Sequence, residues 1–456
     1  MEPGTTSPKS DKSREALRPD KPDGDNPEES PSEASYDSTE SYVMGEYPNP
    51  PKVEDLENLY NTLGGRRLFK KEDIRILDEQ LDTLIREFER ILDSLHLDKK
   101  SPGHDPRLLQ YSALSKFRDV FGGEYTFDIP YIKCLYWDLK SLRDPQLRFF
   151  PYQALRDDPN SDRLAVPMYM PPTIKFTGPN PDEKYTGNYV YAWHNLIPFY
   201  YFYGFGNMEE GHKFNPTKAD KFKKDWDDDR TPTRQAIIGA ANEIKKPIKH
   251  IVCFGLGSLR LDTKPENTSA WCLDHHFAVF DMARELRKRS GKPIPILFQD
   301  PAYNETDMEY LKSIAGDLEI RFPGGSKTLL EITEDTFVYC PGNPALPIHQ
   351  LVADLTLEFG GPAAVFWYTV TGARLKTKDG KDKVYTAADE LNDYLMVPMD
   401  PVNKYVVNML KGFTKVFDGG RMKGYSAFST SSLYVKKIAS QSNTVEQGDS
   451  EQQTHT

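Results

Sequence analysis

A glycine turn that directly follows an apolar segment is the first feature of the sequence that could do chemistry. Residues 250–254 read as a buried strand and run into Gly255, Leu256, Gly257 and Ser258. Glycines at the end of a strand let backbone N–H groups approach an anionic ligand closely, because no Cβ blocks the way. We therefore take Gly255, Gly257 and Ser258 as candidate ligand-binding residues.

Two later strand ends supply the remaining candidate ligand-binding residues. One predicted strand ends on Asp300, and the predicted strand 336–340 stops at Pro341 and Gly342. Dinucleotide folds bind ribose hydroxyls through an acid at the end of the second strand. Ligands of open α/β sheets bind outside the carboxyl ends of the strands. We therefore expect Asp300, Pro341 and Gly342 to meet the glycine turn at one edge of the sheet.

The glycine turn departs from the dinucleotide-binding fingerprint in two ways. Arg260 occupies the position of the third glycine, and Asp300 comes 43 residues after Gly257, where the fingerprint has an acid after roughly 20. An insertion at 262–270 would account for the delay. The alternative is a tight strand-to-helix turn that needs glycine only for packing. Both interpretations stay open at this point, and the sequence names no cofactor.

Other reactive side chains form no recognisable catalytic set. The sequence has no nucleophile elbow, no P-loop and no His-Glu-x-x-His motif. His275 and His276 are adjacent on a predicted helix and point about 100° apart, so we expect one at the surface and the other packed, and no metal site. Cys340 before Pro341 allows an axial haem thiolate, but we favour a small buried hydrophobic residue. The sequence therefore predicts no catalytic residues.

The elements that position these residues alternate between strands and helices. Predicted strands are 250–254, 295–301, 318–322, 336–340 and 363–370, and predicted helices are 231–246, 273–290, 304–315 and 348–359. Such alternation is typical of βαβ units with right-handed crossovers. The fold class is therefore α/β, a Rossmann-like, mainly parallel sheet with flanking helices, preceded by a helical and irregular N-terminal extension.

One helix of the extension has a strong pattern. Residues 73–95 carry an apolar stripe at spacings of three and four. The stripe consists of Ile74, Leu77, Leu81, Leu84, Phe88, Ile91 and Leu95. A stripe of this length permits a short coiled coil with a protein partner. We favour the simpler interpretation, in which the helix docks on the protein's own core.

Composition divides the chain into four parts. We expect disordered tails at residues 1–52 and 438–456, because these segments contain too few aliphatic side chains to offset the entropy of the chain. The first tail is acidic and rich in Pro and Ser. Residues 53–230 form the extension, which includes an aromatic-rich region that we interpret as core. Residues 231–437 form the α/β domain.

Charge and hydropathy exclude some classes of function. The formal net charge of −11 argues against a nucleic-acid binder. The longest apolar run, 196–205, contains Pro198 and Gly204 and is too short to span a bilayer. No secretory signal is visible, and the four cysteines include no Cys-x-x-Cys pair. We expect a cytoplasmic or nuclear protein, or one present in both compartments.

Several motifs together resemble the sensitivity-to-red-light-reduced (SRR-like) family. They are the Gly-Leu-Gly-Ser turn in 251–258, the strand 296–301 that ends in Asp-Pro, the proline-containing strand end in 337–344, and the Phe-x-x-x-Ser segment in 428–432. The resemblance covers about residues 231–435. The aromatic-rich extension before it resembles a filamentous-fungal version of the family.

One motif differs from the family pattern. Family members often have a Pro-His-Cys run after the late strand, whereas Gly342 and Asn343 follow Pro341 in this chain. This chain therefore lacks, at this position, the His-Cys pair on which a metal, haem or redox role would depend.

The resemblance implies a regulatory protein. The family is linked to circadian and light signalling in plants and to haem metabolism and cytoskeletal stability in other eukaryotes, without an agreed reaction. We therefore expect the SRR-like domain to bind a small anionic ligand or a protein partner at the carboxyl edge of the sheet. Two alternatives stay open. One is a Rossmann-like S-adenosylmethionine-dependent methyltransferase, although Cys253 and Phe254 stand where such enzymes usually have an acid. The other is an interaction scaffold that uses helix 73–95.

Overall fold

The computed structural model of the protein describes most of residues 53–438. The described residues are 53–97, 107, 111–118, 124–130, 142–149, 151, 175–176, 198–205, 214–227, 232–259, 266–300, 302–342, 346–370, 377–381, 384–390, 400–421 and 427–438. The predicted disordered tails, apart from residue 438, lie outside the described residues.

A sheet of seven described strands forms the centre of the fold. The strands are β6 (His250–Phe254), β7 (Ile296–Gln299), β8 (Ile320–Arg321), β9 (Thr336–Cys340), β10 (Ala364–Tyr368), β11 (Phe413–Asp418) and β12 (Ser431–Lys436). Their order across the sheet is β11-β12-β10-β9-β6-β7-β8. The strands β8, β7, β6, β9 and β10 are mutually parallel, and β12 is antiparallel to both neighbours. The predicted mainly parallel α/β sheet is therefore confirmed.

Helices cover both faces of this sheet. They are α3 (Pro216–Asp227), α4 (Pro232–Ala241), α5 (Glu266–Ser290), α6 (Glu305–Ala315), α7 (Lys327–Leu330), α8 (Ile348–Leu355) and α9 (Lys404–Lys411). Side chains alternate along β6, so that Ile251 and Cys253 join the core that contains α5, while Val252 and Phe254 join the core that contains α8. Because both faces are buried, β6 is apolar along almost its whole length.

The N-terminal helices pack against the second of these cores. They are α1 (Val53–Leu63) and α2 (Lys71–Ser94). Most of the apolar stripe of α2, from Ile74 to Phe88, is buried in the core shared with Val252 and Phe254. The helix therefore docks on the protein's own core, which is the interpretation that the sequence favoured. A protein partner of this helix would have to bind its exposed, charged face.

A buried carboxyl fixes the position of α2. Asp78 is 3% exposed and accepts a hydrogen bond of 2.7 Å from the backbone N–H of Ser326. Gly325 has a φ of +62°, and a Cβ there would lie 2.5 Å from Asp78 Oδ1. The missing side chain of Gly325 thus lets the loop before α7 approach α2 closely.

Short antiparallel strands follow α2 in the extension, which adds β structure to the helical and irregular segment expected there. They are β1 (Ser112–Arg118), β2 (Glu124–Pro130), β3 (Leu142–Phe149), β4 (Lys175–Phe176) and β5 (Phe199–Phe205). Phe69, Phe149 and Phe199 pack edge to face, with ring centroids 5.6–5.8 Å apart. These aromatic residues therefore serve as core, as the sequence predicted.

Several element boundaries differ from the predicted ones. The helix α5 starts at residue 266, within the segment interpreted as an insertion, and α8 stops at Leu355 before a short 3₁₀ turn. Asn304, which the sequence placed inside α6, is its N-cap and accepts a hydrogen bond of 2.8 Å from the backbone N–H of Asp307. The strands β11 and β12 were not predicted, because an antiparallel hairpin at a sheet edge lacks the helix that separates parallel strands.

The packing of the α/β domain extends to residues before 231. Trp226 in α3 donates its indole N–H to Asp281 Oδ2 of α5 at 2.8 Å, and Arg234 Nε donates to the same oxygen at 2.7 Å. The helix α3 therefore belongs physically with α5. No helix among the described residues is both long and apolar enough to cross a bilayer.

Candidate functional site

Three strand-end loops meet at the carboxyl edge of the sheet. After β6 the chain adds β7 and β8 on one side, and then returns to add β9 and β10 on the other. The edge beside β6 and β9 is therefore the topological switch point, where ligands of such sheets bind. A Cβ on Gly342, just after β9, would lie 3.2 Å from the carbonyl oxygen of Gly255, just after β6. The two loops are in direct contact.

Asp300 ties the loop after β7 to the glycine turn. Its Oδ2 accepts the backbone N–H of Gly257 at 2.7 Å, and its Oδ1 accepts the backbone N–H of Ala302 at 2.7 Å. The structure gives this carboxylate a loop-holding role, and its role as a ribose-binding acid stays a prediction.

Ser258 is held by a residue that sequence reasoning missed. Its hydroxyl donates to Asp307 Oδ2 at 2.9 Å, and the backbone N–H of Leu259 donates to Asp307 Oδ1 at 3.2 Å. Asp307 is 0% exposed and forms a reciprocal capping box with Asn304 at the start of α6. The Asn-x-x-Asp spacing before an apolar helix was the signal that could have identified it.

The two glycines of the turn are needed for its conformation. Gly255 has a φ of +64° and Gly257 a φ of +80°, a region that residues with a Cβ rarely adopt. A Cβ on Gly257 would lie 2.5 Å from the Sγ of Cys272 in α5. Close packing of the turn on α5 therefore explains why position 257 is a glycine, and no ligand is needed for this explanation. This supports the packing interpretation of Gly257.

We expect Gly257→Ala to lower the free energy of unfolding by about 2 kcal/mol, because it adds a steric clash to the cost of a positive φ. Gly360→Ala is the matched control, since Gly360 is also left-handed but a Cβ there would have no neighbouring atom within 4 Å. It should cost about 1 kcal/mol. Urea unfolding of both variants, alone and in a Cys272→Ala background, measures the difference. Equal losses for both variants would show that the contact with Cys272 is unimportant.

Both histidines of α5 are buried, so the prediction that one lies at the surface was wrong. His275 is 7% and His276 0% exposed. His275 Nε2 lies 3.1 Å from the carbonyl oxygen of Ala427, and His276 Nε2 lies 2.7 Å from the Tyr303 hydroxyl. Burial lowers the pKa of His275 to about 4 and that of His276 to about 3. Both rings are therefore neutral and structural at pH 7.

Asp274, beside these histidines, is a titratable residue that sequence reasoning overlooked. It is half-buried on α5, and its charge raises the pKa of Cys272 in the same helix and of Tyr339 in β9. Burial raises the pKa of Asp274 to about 7. A carboxyl in this range can exchange a proton near neutral pH. No sequence pattern marks it, because its burial depends on the packing of α5 against the sheet.

Among the described residues, the loops at this edge contain one acidic side chain and no basic ones. The described residues of 255–259, 300–304, 341–342 and 368–370 include Asp300 but no Lys or Arg. An anionic ligand at the switch point would therefore rely on backbone N–H groups in these loops. Among the described residues, a cationic side chain for such a ligand would have to come from another element.

Cys340 lies at the end of β9 and is 0% exposed. Burial raises the pKa of its thiol well above the usual value, which disfavours the thiolate that an axial haem ligand requires. The buried-hydrophobe interpretation therefore fits this residue. In the part of the chain that the structure describes, His, Cys, Asp and Glu side chains form no cluster suited to a metal ion.

Comparison with known proteins identifies the α/β part of the chain. Residues 221–434 match the model of a family described as the SRR1 domain. The match begins within α3 and ends within β12, so it includes all three loops at the switch point. No curated protein and no solved structure matches the chain.

Proposed function

Since residues 221–434 form an SRR1 domain, we propose that this is a regulatory protein that binds a small anionic ligand or a protein partner at the carboxyl edge of its sheet. In this proposal the protein has no defined catalytic reaction. The observation that carries it is the meeting of the loops after β6, β7 and β9 at the topological switch point.

The geometry of the loops supports binding because they are held in place before any ligand arrives. Asp300 fixes the glycine turn from one side, and Asp307 fixes Ser258 and Leu259 from the other. A preorganised site loses less conformational entropy on binding than a mobile loop does. We place the ligand in the crevice outside these strand ends, next to the half-buried Gly342 at the end of β9.

A binding role fits the side chains better than acid–base catalysis by histidine. Burial keeps His275 and His276 neutral, and their hydrogen bonds go to Ala427, Cys272 and Tyr303. These rings are therefore committed to packing and are not poised to exchange protons at pH 7.

The strand order favours a second candidate, a Rossmann-like methyltransferase. Numbered by their sequence within this sheet, the strands run third, second, first, fourth, fifth, seventh, sixth, and the seventh is antiparallel to its neighbours. The first five follow the doubly wound order, and an antiparallel strand inserted beside the fifth is typical of Rossmann-like methyltransferases. Asp300 stands after the second strand, where such a site needs an acid. Fold alone does not imply function. A measurement of S-adenosylmethionine binding is therefore needed to choose between the two candidate functions.

A thermal-shift screen with nucleotides, S-adenosylmethionine and haem tests both candidates. A ligand at about 100 times its Kd adds about 2.7 kcal/mol of stability, which raises Tm by roughly 5–10 °C for a domain of this size. We expect a nucleotide to give such a shift. A shift with S-adenosylmethionine alone would favour the methyltransferase.

The variant Gly342→Gln locates the binding site. A Cβ at position 342 would lie only 3.2 Å from the carbonyl oxygen of Gly255, so a glutamine side chain there would push the two loops apart. We expect this change to abolish the ligand-induced shift. Lys249→Gln is the control, because Lys249 is exposed just before β6, at the opposite edge of the sheet. The edge proposal fails if no compound shifts Tm at millimolar concentration and Gly342→Gln leaves cellular function intact.

A further inference from the structure

A buried histidine at the start of α8 is held by an aspartate on one side only. His349 is 1% exposed. Its backbone N–H donates to Asp400 Oδ1 at 2.9 Å, and its Nδ1 lies 3.0 Å from Asp400 Oδ2. Asp400 therefore fixes both the start of the helix and the orientation of the imidazole ring.

The other ring nitrogen of His349 has no hydrogen-bond partner, and the same is true of a neighbouring indole. His349 Nε2 and Trp367 Nε1 are both buried without a partner. The two rings are in contact, with centroids 4.5 Å apart and planes at 75°. The Tyr368 carbonyl contributes to the raised pKa of His349 but makes no hydrogen bond of acceptable geometry with Nε2. Buried polar atoms without partners are rare and call for an explanation.

Asp400 favours the form of His349 in which both ring nitrogens are hydrogen-bond donors. Burial lowers the pKa of His349, but the charge and hydrogen bonds of Asp400 outweigh this effect, and the net pKa is raised. Protonated imidazole donates from both nitrogens, and an indole N–H can only donate. Burial also raises the pKa of Asp400, against the opposing effect of His349. When His349 is protonated, its Nε2 and the Trp367 indole are two adjacent donors that lack an acceptor.

Both residues belong to the edge already described. Trp367 is paired with Cys340, the last residue of β9, and α8 is the helix that follows β9. The side chain of Trp367 joins the core that contains α8, so the pair lies on the face of the sheet opposite α5. Carboxyl ends of parallel strands share one edge, which places the pair beside Gly342 and the half-buried Thr369.

We propose that His349 and Trp367 together bind an acidic oxygen, a carboxylate or phosphoryl oxygen, of the ligand that occupies the carboxyl edge. This inference rests on the proposed function and deepens it, because it adds an imidazole that is cationic when protonated, whereas the described residues of the edge loops include no Lys or Arg. The acceptor oxygen would satisfy both buried donors at once, and charge-assisted bonds of this kind are the strong ones.

Titration of the full-length protein with acetate and with inorganic phosphate tests the inference and distinguishes the two sources of the oxygen. Acetamide at the same concentration is the neutral control. Trp367→Phe removes the indole N–H and keeps an aromatic ring. We expect it to weaken binding of the acidic probe about tenfold. Trp226→Phe is the matched control, because the indole of Trp226 already donates to Asp281, and it should leave probe binding unchanged.

Nuclear magnetic resonance of histidine-labelled wild-type protein gives a second readout. It uses no variant, so the result does not depend on whether a variant folds. The Nε2 signal of His349 should be that of a protonated ring and should shift on addition of the acidic probe, while the signals of the neutral His275 and His276 stay in place. A His349 ring that is neutral and insensitive to both probes would overturn the inference.

The outcomes separate this inference from the broader proposal. If a ligand binds and Gly342→Gln blocks it, while Trp367→Phe has no effect, the edge function stands and the role of His349 and Trp367 is refuted. If Trp367→Phe weakens probe binding and Gly342→Gln does not, the donor pair stands and the site lies away from the crevice. If neither probe nor any screened ligand binds, both fail.

Discussion

Replacing Asp307 with Ala should lower the free energy of unfolding by about 3–5 kcal/mol. The carboxylate is 0% exposed and accepts hydrogen bonds from the Ser258 hydroxyl and the backbone N–H groups of Leu259 and Asn304. Truncation leaves these donors without acceptors inside the protein, at a cost of about 1–3 kcal/mol for each fully buried one. It also removes one half of the capping box of α6.

Urea unfolding of Asp307→Ala measures this loss. Asp307→Asn should be intermediate, because its single oxygen can still accept two of the three hydrogen bonds. Asp317→Ala is the control, since that exposed carboxylate pairs with Arg287 at 2.5 Å on the surface, where solvent screens the pair, and its loss should change stability little. If Asp307→Ala is no more destabilising than this control, the loop after β6 does not depend on Asp307.

The docking of the N-terminal helices should weaken as the pH rises from 5 to 8. Asp354 in α8 is 1% exposed, and its Oδ2 accepts the backbone N–H groups of Leu68 at 3.0 Å and Phe69 at 3.2 Å. Burial raises the pKa of Asp354 to about 7. Its ordinary value is close to 4, so the folded protein holds a proton that the unfolded chain has already released.

The direction of the pH effect follows from this difference in bound protons. A carboxyl whose pKa is raised by folding favours the folded state fully below its unfolded pKa, near 4. This contribution is lost as the pH rises towards the folded pKa, near 7. The loss approaches about 1.4 kcal/mol per pH unit inside that window. Between pH 5 and pH 8 it amounts to about 2–3 kcal/mol.

A second carboxyl at the same interface acts in the same direction. Glu390 is 1% exposed and accepts hydrogen bonds from the Tyr60 hydroxyl of α1 and, at 2.8 Å, from the backbone N–H of Lys404. Burial raises the pKa of Glu390 to about 7. Two carboxyls that connect the extension to the SRR1 domain therefore titrate in the same window.

Asp354→Asn isolates the first of these groups. The amide oxygen can still accept the Leu68 and Phe69 N–H groups, but the side chain no longer titrates. Urea unfolding at pH 5, 6, 7 and 8 should therefore show a flatter pH dependence for this variant than for the wild type. Asp317→Asn is the control, because the pKa of Asp317 is lowered by Arg287 and the group is exposed. Parallel curves for wild type and Asp354→Asn would contradict the assignment.

Local sequence patterns were sufficient for the five parallel strands of the central sheet. The apolar segments 250–254 and 336–340 are strands with nearly those bounds, because strands buried on both faces must be apolar throughout. The meeting of Gly255, Asp300 and Gly342 was also predictable. Parallel strands with right-handed crossovers bring their carboxyl ends to one edge whatever the side chains are.

Tertiary packing decided what each polar residue at that edge does. The adjacent residues His275 and His276 point in different directions on α5, yet both are buried, because the sheet packs against one side of the helix and neighbouring elements cover the other. The folded chain also shows that Asp300, a candidate ligand-binding residue from the sequence, anchors the glycine turn. Burial, and not residue type, sets these roles.

The apolar stripe of α2 shows most clearly what the sequence determines by itself and what only the tertiary structure decides. Its spacing determined that one face of the helix must be covered, but a partner and the protein's own core would produce the same pattern. Only the fold placed Leu84 in the core beside β6. Likewise, His349 and Asp400 lie 51 residues apart in the chain, so no local spacing signals their pairing. Sequence determines which faces need burial, and the folded chain determines which distant groups meet.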